Sequence, residues 1–236
     1  MKTAIKNRYQ EKLESAERVS NARAWLDVYD AIADRISTDG THIDVGHIKN
    51  FEFPLRMAKI FETMFPQKQF VYYDGTDPNP LERARLFLSG DVRKMKRRAP
   101  GKMIYTNDPA PYVNSADSVS HMFTIHEFDD PREALREAHS LLKKDDSRPD
   151  VGLDFIIDYD LNWVQDGLPP KQVAKNMLRV FKEDNEKRVA DEESNWVAKH
   201  TKYSLAQCVA DAEAVGFQTV ETRVFGNKLF LYVGKK

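Results

Sequence analysis

Residues 117–144, DSVSHMFTIHEFDDPREALREAHSLLKK, read as a strand, a turn and a helix in succession. The segment after Asp117 becomes almost continuously apolar toward MFTI, the pattern of a strand covered on both faces. We place this strand at 117–124. HEFDD then interrupts it. Pro131 follows at the first turn of an amphipathic helix, where its missing N–H removes no helical hydrogen bond. A buried strand leading into a surface helix is half of a parallel β-α-β unit, so the question becomes whether the rest of the chain repeats it.

It does. Downstream, VGLDFIIDYD (151–160) is another apolar strand, predicted over 153–158, and SLAQCVADAEAVGF (204–217) is a helix with Ser204 as N-cap and Gly216 as the residue that closes it. The chain ends in two strands across 219–234, joined at Gly226-Asn227, a hairpin signal. Upstream, KMIYTND predicts a strand at 102–106, QFVYYDG one at 69–73 and THIDVG one at 41–45, with helical periodicity in FPLRMAKIFETMF and in NPLERARLFLSG, the latter closed by Gly90. Residues 4–36 read as helix in two pieces. Five alternations followed by a hairpin predict an α/β fold, a mainly parallel sheet with helices on both faces.

Composition narrows the function. Apolar residues make up 41% of the 236 and charged residues 31%, with a formal net charge of -1, so no whole-molecule field draws the chain to nucleic acid or anionic lipid. Cys208 is the only cysteine, which excludes an internal disulfide and a cysteine zinc cluster, and it lies on an apolar helical face. The first twenty residues lack the apolar core of a signal peptide, and no apolar run approaches the ~20 residues that span a bilayer. These features predict a cytoplasmic protein with no membrane partner. The histidines His42, His47, His121 and His126 have no metal-ligand spacing, so no metal is expected.

In residues 107–145, Asp108, Asp117, Ala134, Leu135, Glu137, Leu141, Leu142 and Lys143 stand in the order of the third strand, fourth strand and following helix of class I S-adenosylmethionine-dependent methyltransferases. The chain resembles that family here and again in its last helix and hairpin. The resemblance runs from about residue 40 to the end, apart from a charged helical insertion. It implies a Rossmann-like methyltransferase fold of seven strands with a C-terminal antiparallel hairpin. It also implies a single domain of four parts: an N-terminal helical cap (1–38), a cofactor-binding core (39–164), the insertion (165–202), and the last helix and hairpin (203–236).

The resemblance also assigns sites. IDVGHIKN (43–50) falls where the family has an acid and three alternate glycines. Asp44 and Gly46 match, whereas Ile48 and Asn50 replace the second and third glycines. A β-branched residue resists positive φ and fills space beside the methionine moiety. Without the resemblance, IDVG is simply a buried strand ending in a turn. Asp77, then Asp74, are candidates to accept hydrogen bonds from the ribose hydroxyls, because a carboxylate supplies acceptors only. An Asp before Pro is also a common turn-former. Asp108 would lie by the adenine, or simply form a loop with Pro109 and Pro111. Phe123 completes the cofactor-facing set.

For chemistry, His126 and Glu127 follow the fourth strand where the family places substrate-facing residues. A histidine there can deprotonate a hydroxyl or orient an amine. The plainer reading is a surface histidine capping a turn. Asp158, Tyr159 and Trp163 would line the acceptor pocket. The expected activity is therefore adenosylmethionine-dependent methylation of a small-molecule acceptor, with the homodimer as one option for assembly. Two rivals remain: an inactive methyltransferase-like binding or regulatory subunit, and an RNA methyltransferase using the basic cluster RKMKRRAPGK (93–102), which lacks interleaved aromatics for base stacking.

Overall fold

A computed structural model describes residues 22–46, 64–75, 104–122, 124–159, 203–225 and 229–236. Within them lie strands β1 (Thr41–Val45), β2 (Gln69–Tyr73), β3 (Ile104–Thr106), β4 (Ser118–Met122), β5 (Leu153–Tyr159), β6 (Gln218–Phe225) and β7 (Leu229–Lys235). Three described α-helices accompany them: α1 (Ala22–Ala33), α2 (Pro131–Leu141) and α3 (Leu205–Val215). All seven strands form one sheet in the order β3-β2-β1-β4-β5-β7-β6. β1 to β5 pair in parallel, β7 runs antiparallel to β5, and β6 runs antiparallel to β7. This is the alternating sheet and closing hairpin that the sequence predicts.

Side-chain alternation assigns the two faces. Ile43, Val45, Val71, Val119, Ile156, Phe230 and Tyr232 point to one face, where they pack in a single core with Ala134, Leu135, Ala138 and Leu141 of α2 and Cys208 and Ala212 of α3. Each fully buried aliphatic side chain here contributes roughly 1.5–3 kcal/mol. The opposite face carries Phe70, Tyr72, Phe155, Leu231 and Val233, all buried. α1 lies on that side, tied to the sheet by an ion pair from Arg35 to Glu221 of β6.

Local chemistry sets the element ends. Asp130 caps α2 by accepting from the Arg132 N–H at 3.0 Å, with Pro131 in the first turn. Ser204 caps α3 by accepting from the Gln207 N–H at 3.1 Å, and Gly216 closes it in the left-handed region at φ 111°. α2 stops at Leu141, earlier than the apolar run to Lys144 suggests. Leu142 turns extended, bridges to Ala116, and lets Lys143 N donate to Ala116 O at 2.8 Å, while the Lys143 ammonium reaches Asp117 at 3.0 Å. β4 is likewise shorter than 117–124. Asp117 is diverted at its start to accept from the Thr41 N–H at 2.6 Å. Gly90, the Gly226-Asn227 turn, the 93–102 cluster and the 165–202 segment lie outside the described residues.

Candidate functional site

In a parallel sheet every strand delivers its C-terminal end to the same rim. The chain leaves β1 toward β2 on one side, and β4 lies on the other, so the rim opens between β1 and β4 at a topological switch point. Thr124, just beyond β4, donates its hydroxyl to Val45 O at 3.0 Å and pins the β4 exit to the end of β1.

Asp44 and Gly46 stand at that rim. Asp44 is 2% exposed. Its Oδ1 accepts from the Ser120 hydroxyl of β4 at 2.5 Å, and its Oδ2 is buried with no hydrogen-bond partner among the described residues. Burial pushes the Asp44 carboxyl up to about 7, against the opposing pull of the Ser120 bond. The Gly46 N–H donates to Tyr73 O at 2.9 Å. A Cβ at Gly46 would lie 2.4 Å from the Tyr72 ring, so a glycine is what lets that ring close over the strand end.

Asp74 directly follows β2 beside Gly46 and is buried. Its N–H donates to Thr106 O at 3.1 Å, which seats it between the ends of β1 and β3. Asp108 is exposed and its Oδ1 accepts from the Ala110 N–H at 3.0 Å, opening the 3₁₀ turn Ala110–Tyr112. That bond is the turn-forming role left open for it. Asp77, Phe123 and Trp163 lie outside the described residues, as do Ile48 and Asn50.

His126 sits in the 3₁₀ turn Ile125–Glu127 that follows β4. It is buried, not a surface residue capping a turn. Its Nδ1 lies 2.8 and 2.7 Å from the two oxygens of Asp158, near the end of β5. A carboxylate only accepts, so Nδ1 carries the hydrogen toward Asp158 and Nε2 is the other ring nitrogen. The structure thus joins two residues that the sequence assigned separately, one to catalysis and one to substrate. Glu127 lies in the same turn and Tyr159 ends β5; their side chains are not described.

The sequence reading missed one group. His42, between β1 and β4, places Nδ1 2.8 Å from Ser118 Oγ and Nε2 3.0 Å from Ser120 Oγ. Burial, assisted by the Lys68 charge, depresses this imidazole to about 3, so it is neutral. Its signal was present: HID and SVS put polar residues at alternate positions of strands that are otherwise apolar, which aims them at one face. Among the described residues no three His, Cys, Asp or Glu side chains are grouped to hold a metal ion. None of the described helices is long and apolar enough to cross a membrane.

The sheet order and this rim define the Rossmann-like methyltransferase fold. Solved structures agree. The chain is similar to a SAM-dependent methyltransferase from Aquifex aeolicus, at TM-score 0.55 and 15% identity over 95% of this chain and 96% of that one. It is similar to the [4+2]-cyclase SpnF, at TM-score 0.55 and 14% identity over 89% and 80% of the two chains. An O-methyltransferase family 2 protein from Planctomyces limnophilus, solved with apigenin, aligns at TM-score 0.51 and 15% identity over 92% of this chain and 60% of that one. At these identities the likeness is one of fold. No protein-family model matches the chain, and no curated protein matches it.

Proposed function

We propose that the chain is an S-adenosylmethionine-dependent methyltransferase acting on a small molecule. The observations that carry this reading are a buried carboxylate with one unsatisfied oxygen at the end of β1 and a hydrogen-bonded His–Asp pair at the C-terminal ends of β4 and β5, on the same edge of the parallel sheet.

The residues present fit the cofactor. Asp44 Oδ2 is a buried acceptor that asks for a donor, and a cationic amino group meets that need. Gly46 keeps the strand end bare of side chain. In this reading Asp74, which directly follows β2, accepts from the ribose hydroxyls, or Asp77 three residues on does so in its place. When bound, the cofactor supplies an electrophilic methyl group on a sulfonium. The protein then has to orient the acceptor in line and, for a hydroxyl or ammonium acceptor, take a proton. In this reading Asp158 holds the His126 ring through Nδ1, and Nε2 receives the acceptor proton. Glu127, Tyr159 and Trp163 border the acceptor, and Phe123 and Asp108 border the cofactor.

The test is an acceptor screen. Wild-type protein and adenosylmethionine are incubated with panels of phenols, alcohols, amines and total RNA, and adenosylhomocysteine release is measured. Release with a small hydroxyl or amine compound supports the reading. Release with RNA alone moves the substrate to nucleic acid and the 93–102 cluster. No release with any panel, despite cofactor binding, favours a member of the fold that does not transfer methyl groups.

A further inference from the structure

Four side chains on the face away from α2 and α3 form one buried polar file: Ser118, His42, Ser120 and Asp44. Their residues are between 0% and 2% exposed. The distances run 2.8 Å from Ser118 Oγ to His42 Nδ1, 3.0 Å from His42 Nε2 to Ser120 Oγ, and 2.5 Å from Ser120 Oγ to Asp44 Oδ1. The file crosses three times between β1 and β4, beneath the C-terminal ends of those strands.

Proton counting gives it a direction. Above its value of about 7 the Asp44 carboxyl is ionised and cannot donate, so the single Ser120 hydrogen goes to Asp44 Oδ1. Ser120 Oγ must then accept from His42 Nε2–H. A neutral imidazole carries one hydrogen, so Nδ1 is bare and accepts from the Ser118 hydroxyl. Every donor in the file is used, and the only buried acceptor left over is Asp44 Oδ2. Buried polar chains in strands are costly unless every member is satisfied. Four consecutive members that leave one carboxylate oxygen unmatched point to a ligand as the missing donor.

We propose that His42 is a positioning residue, which with Ser118 and Ser120 fixes the rotamer of Asp44 so that Oδ2 is presented to the amino-acid moiety of the bound cofactor. This inference rests on the cofactor reading above and extends it to residues outside the glycine loop. It also bears on the altered loop, because the carboxylate is held from β4 by Ser120. The groups facing Asp44 among the described residues are His42 on its own strand, Ser118 and Ser120 on β4, and Tyr72 on β2. The titratable groups of the file are His42, depressed to about 3 by burial and the Lys68 charge, and Asp44 itself, pushed up to about 7 by burial.

The test uses two probes and one spectrum on the full chain. Adenosylmethionine carries the amino acid; 5′-methylthioadenosine keeps the nucleoside and lacks it. Ser120→Ala is expected to weaken adenosylmethionine about tenfold, the worth of one hydrogen bond to a charged group, and to leave 5′-methylthioadenosine unchanged. The second probe also reports that the variant is folded. His42→Gln should act in the same sense, and Ser118→Ala more weakly. Nitrogen-15 spectra of wild type at pH 8 should show His42 protonated at Nε2 and bare at Nδ1. Equal weakening of both probes, no weakening of either, or the opposite tautomer overturns the positioning role while leaving the cofactor reading intact. Failure of wild type to bind either probe at millimolar concentration overturns both.

Discussion

Two histidine–aspartate pairs lie on the same side of the sheet, and they differ in everything except residue type. Asp154 and Asp158 are four residues apart on β5, so they share a face and are separated by about 13 Å along the strand. At the rim, His126 meets Asp158 at 2.7–2.8 Å. In the middle of the sheet, His121 and Asp154 stand 3.7 Å apart, both side chains fully buried. That distance is too long for a hydrogen bond. Neither His121 ring nitrogen and neither Asp154 oxygen has a partner among the described residues. Burial lowers His121 to about 4 and raises the Asp154 carboxyl well above its usual range, so it favours the neutral form of each. On the proposed reading, the rim pair serves as a base through its hydrogen bond and its place at a strand end, both of which the interior pair lacks. Composition and proximity are not enough.

The largest expected effect breaks the rim pair. His126→Asn should lower turnover with a proton-bearing acceptor by about 10²–10⁴, the usual contribution of a positioned general base, with little change in thermal stability. Equal turnover in wild type and variant would remove His126 from the chemistry.

The interior pair should behave in the opposite way. Replacing it with apolar groups, His121→Leu together with Asp154→Val, should raise stability by about 1–4 kcal/mol and leave turnover nearly unchanged. Its pH signature follows from the direction of each shift. His121 has a folded value of about 4, below its unfolded 6.5, so the unfolded chain binds more protons between them and stability rises with pH across that window. Asp154 is raised, so stability falls as pH climbs above the unfolded carboxyl value of 3.8. His121→Phe alone should therefore flatten the rise between pH 4 and 6.5, which melting curves across that range would detect. His42, also depressed, contributes a rise of the same sign and should remain in the variant.

A smaller effect separates the two acids after β2. Asp74→Ala should weaken adenosylmethionine binding by about 1.5–3 kcal/mol, the value of a charge-assisted contact to the ribose. Asp77→Ala is the control, and a larger loss there would give the ribose role to Asp77. The smallest effect concerns the altered loop. Ile48→Gly and Asn50→Gly should each cost roughly 0.5–1 kcal/mol of stability where the native φ is negative and change cofactor affinity little.

β2, β5 and β7 were legible as largely apolar runs between turn residues, and the succession of strands followed from strand–helix alternation. Helix ends were legible where one residue decides them, as Asp130, Ser204 and Gly216 do. The end of α2 was not, because Leu142 and Lys143 suit a helix and leave it only to reach Ala116 and Asp117, contacts made across the fold. In the site, Asp44, Gly46 and His126 could be nominated by position along the chain. The bond from His126 to Asp158 could not, since it joins two strand ends 32 residues apart. His42, Ser118 and Ser120 were passed over because a lone polar residue in a strand carries no partner information until register is known. Asp77, Phe123, Ile48, Asn50 and Trp163 remain assigned by resemblance alone.

The central claim is that the rim between β1 and β4 binds adenosylmethionine despite the residues at 48 and 50. Calorimetric titration of the wild-type chain with adenosylmethionine and adenosylhomocysteine tests it most directly. The account predicts saturable binding of both in the micromolar range. No heat and no competition with either ligand at millimolar concentration would contradict it, and would leave the fold as a scaffold without its cofactor.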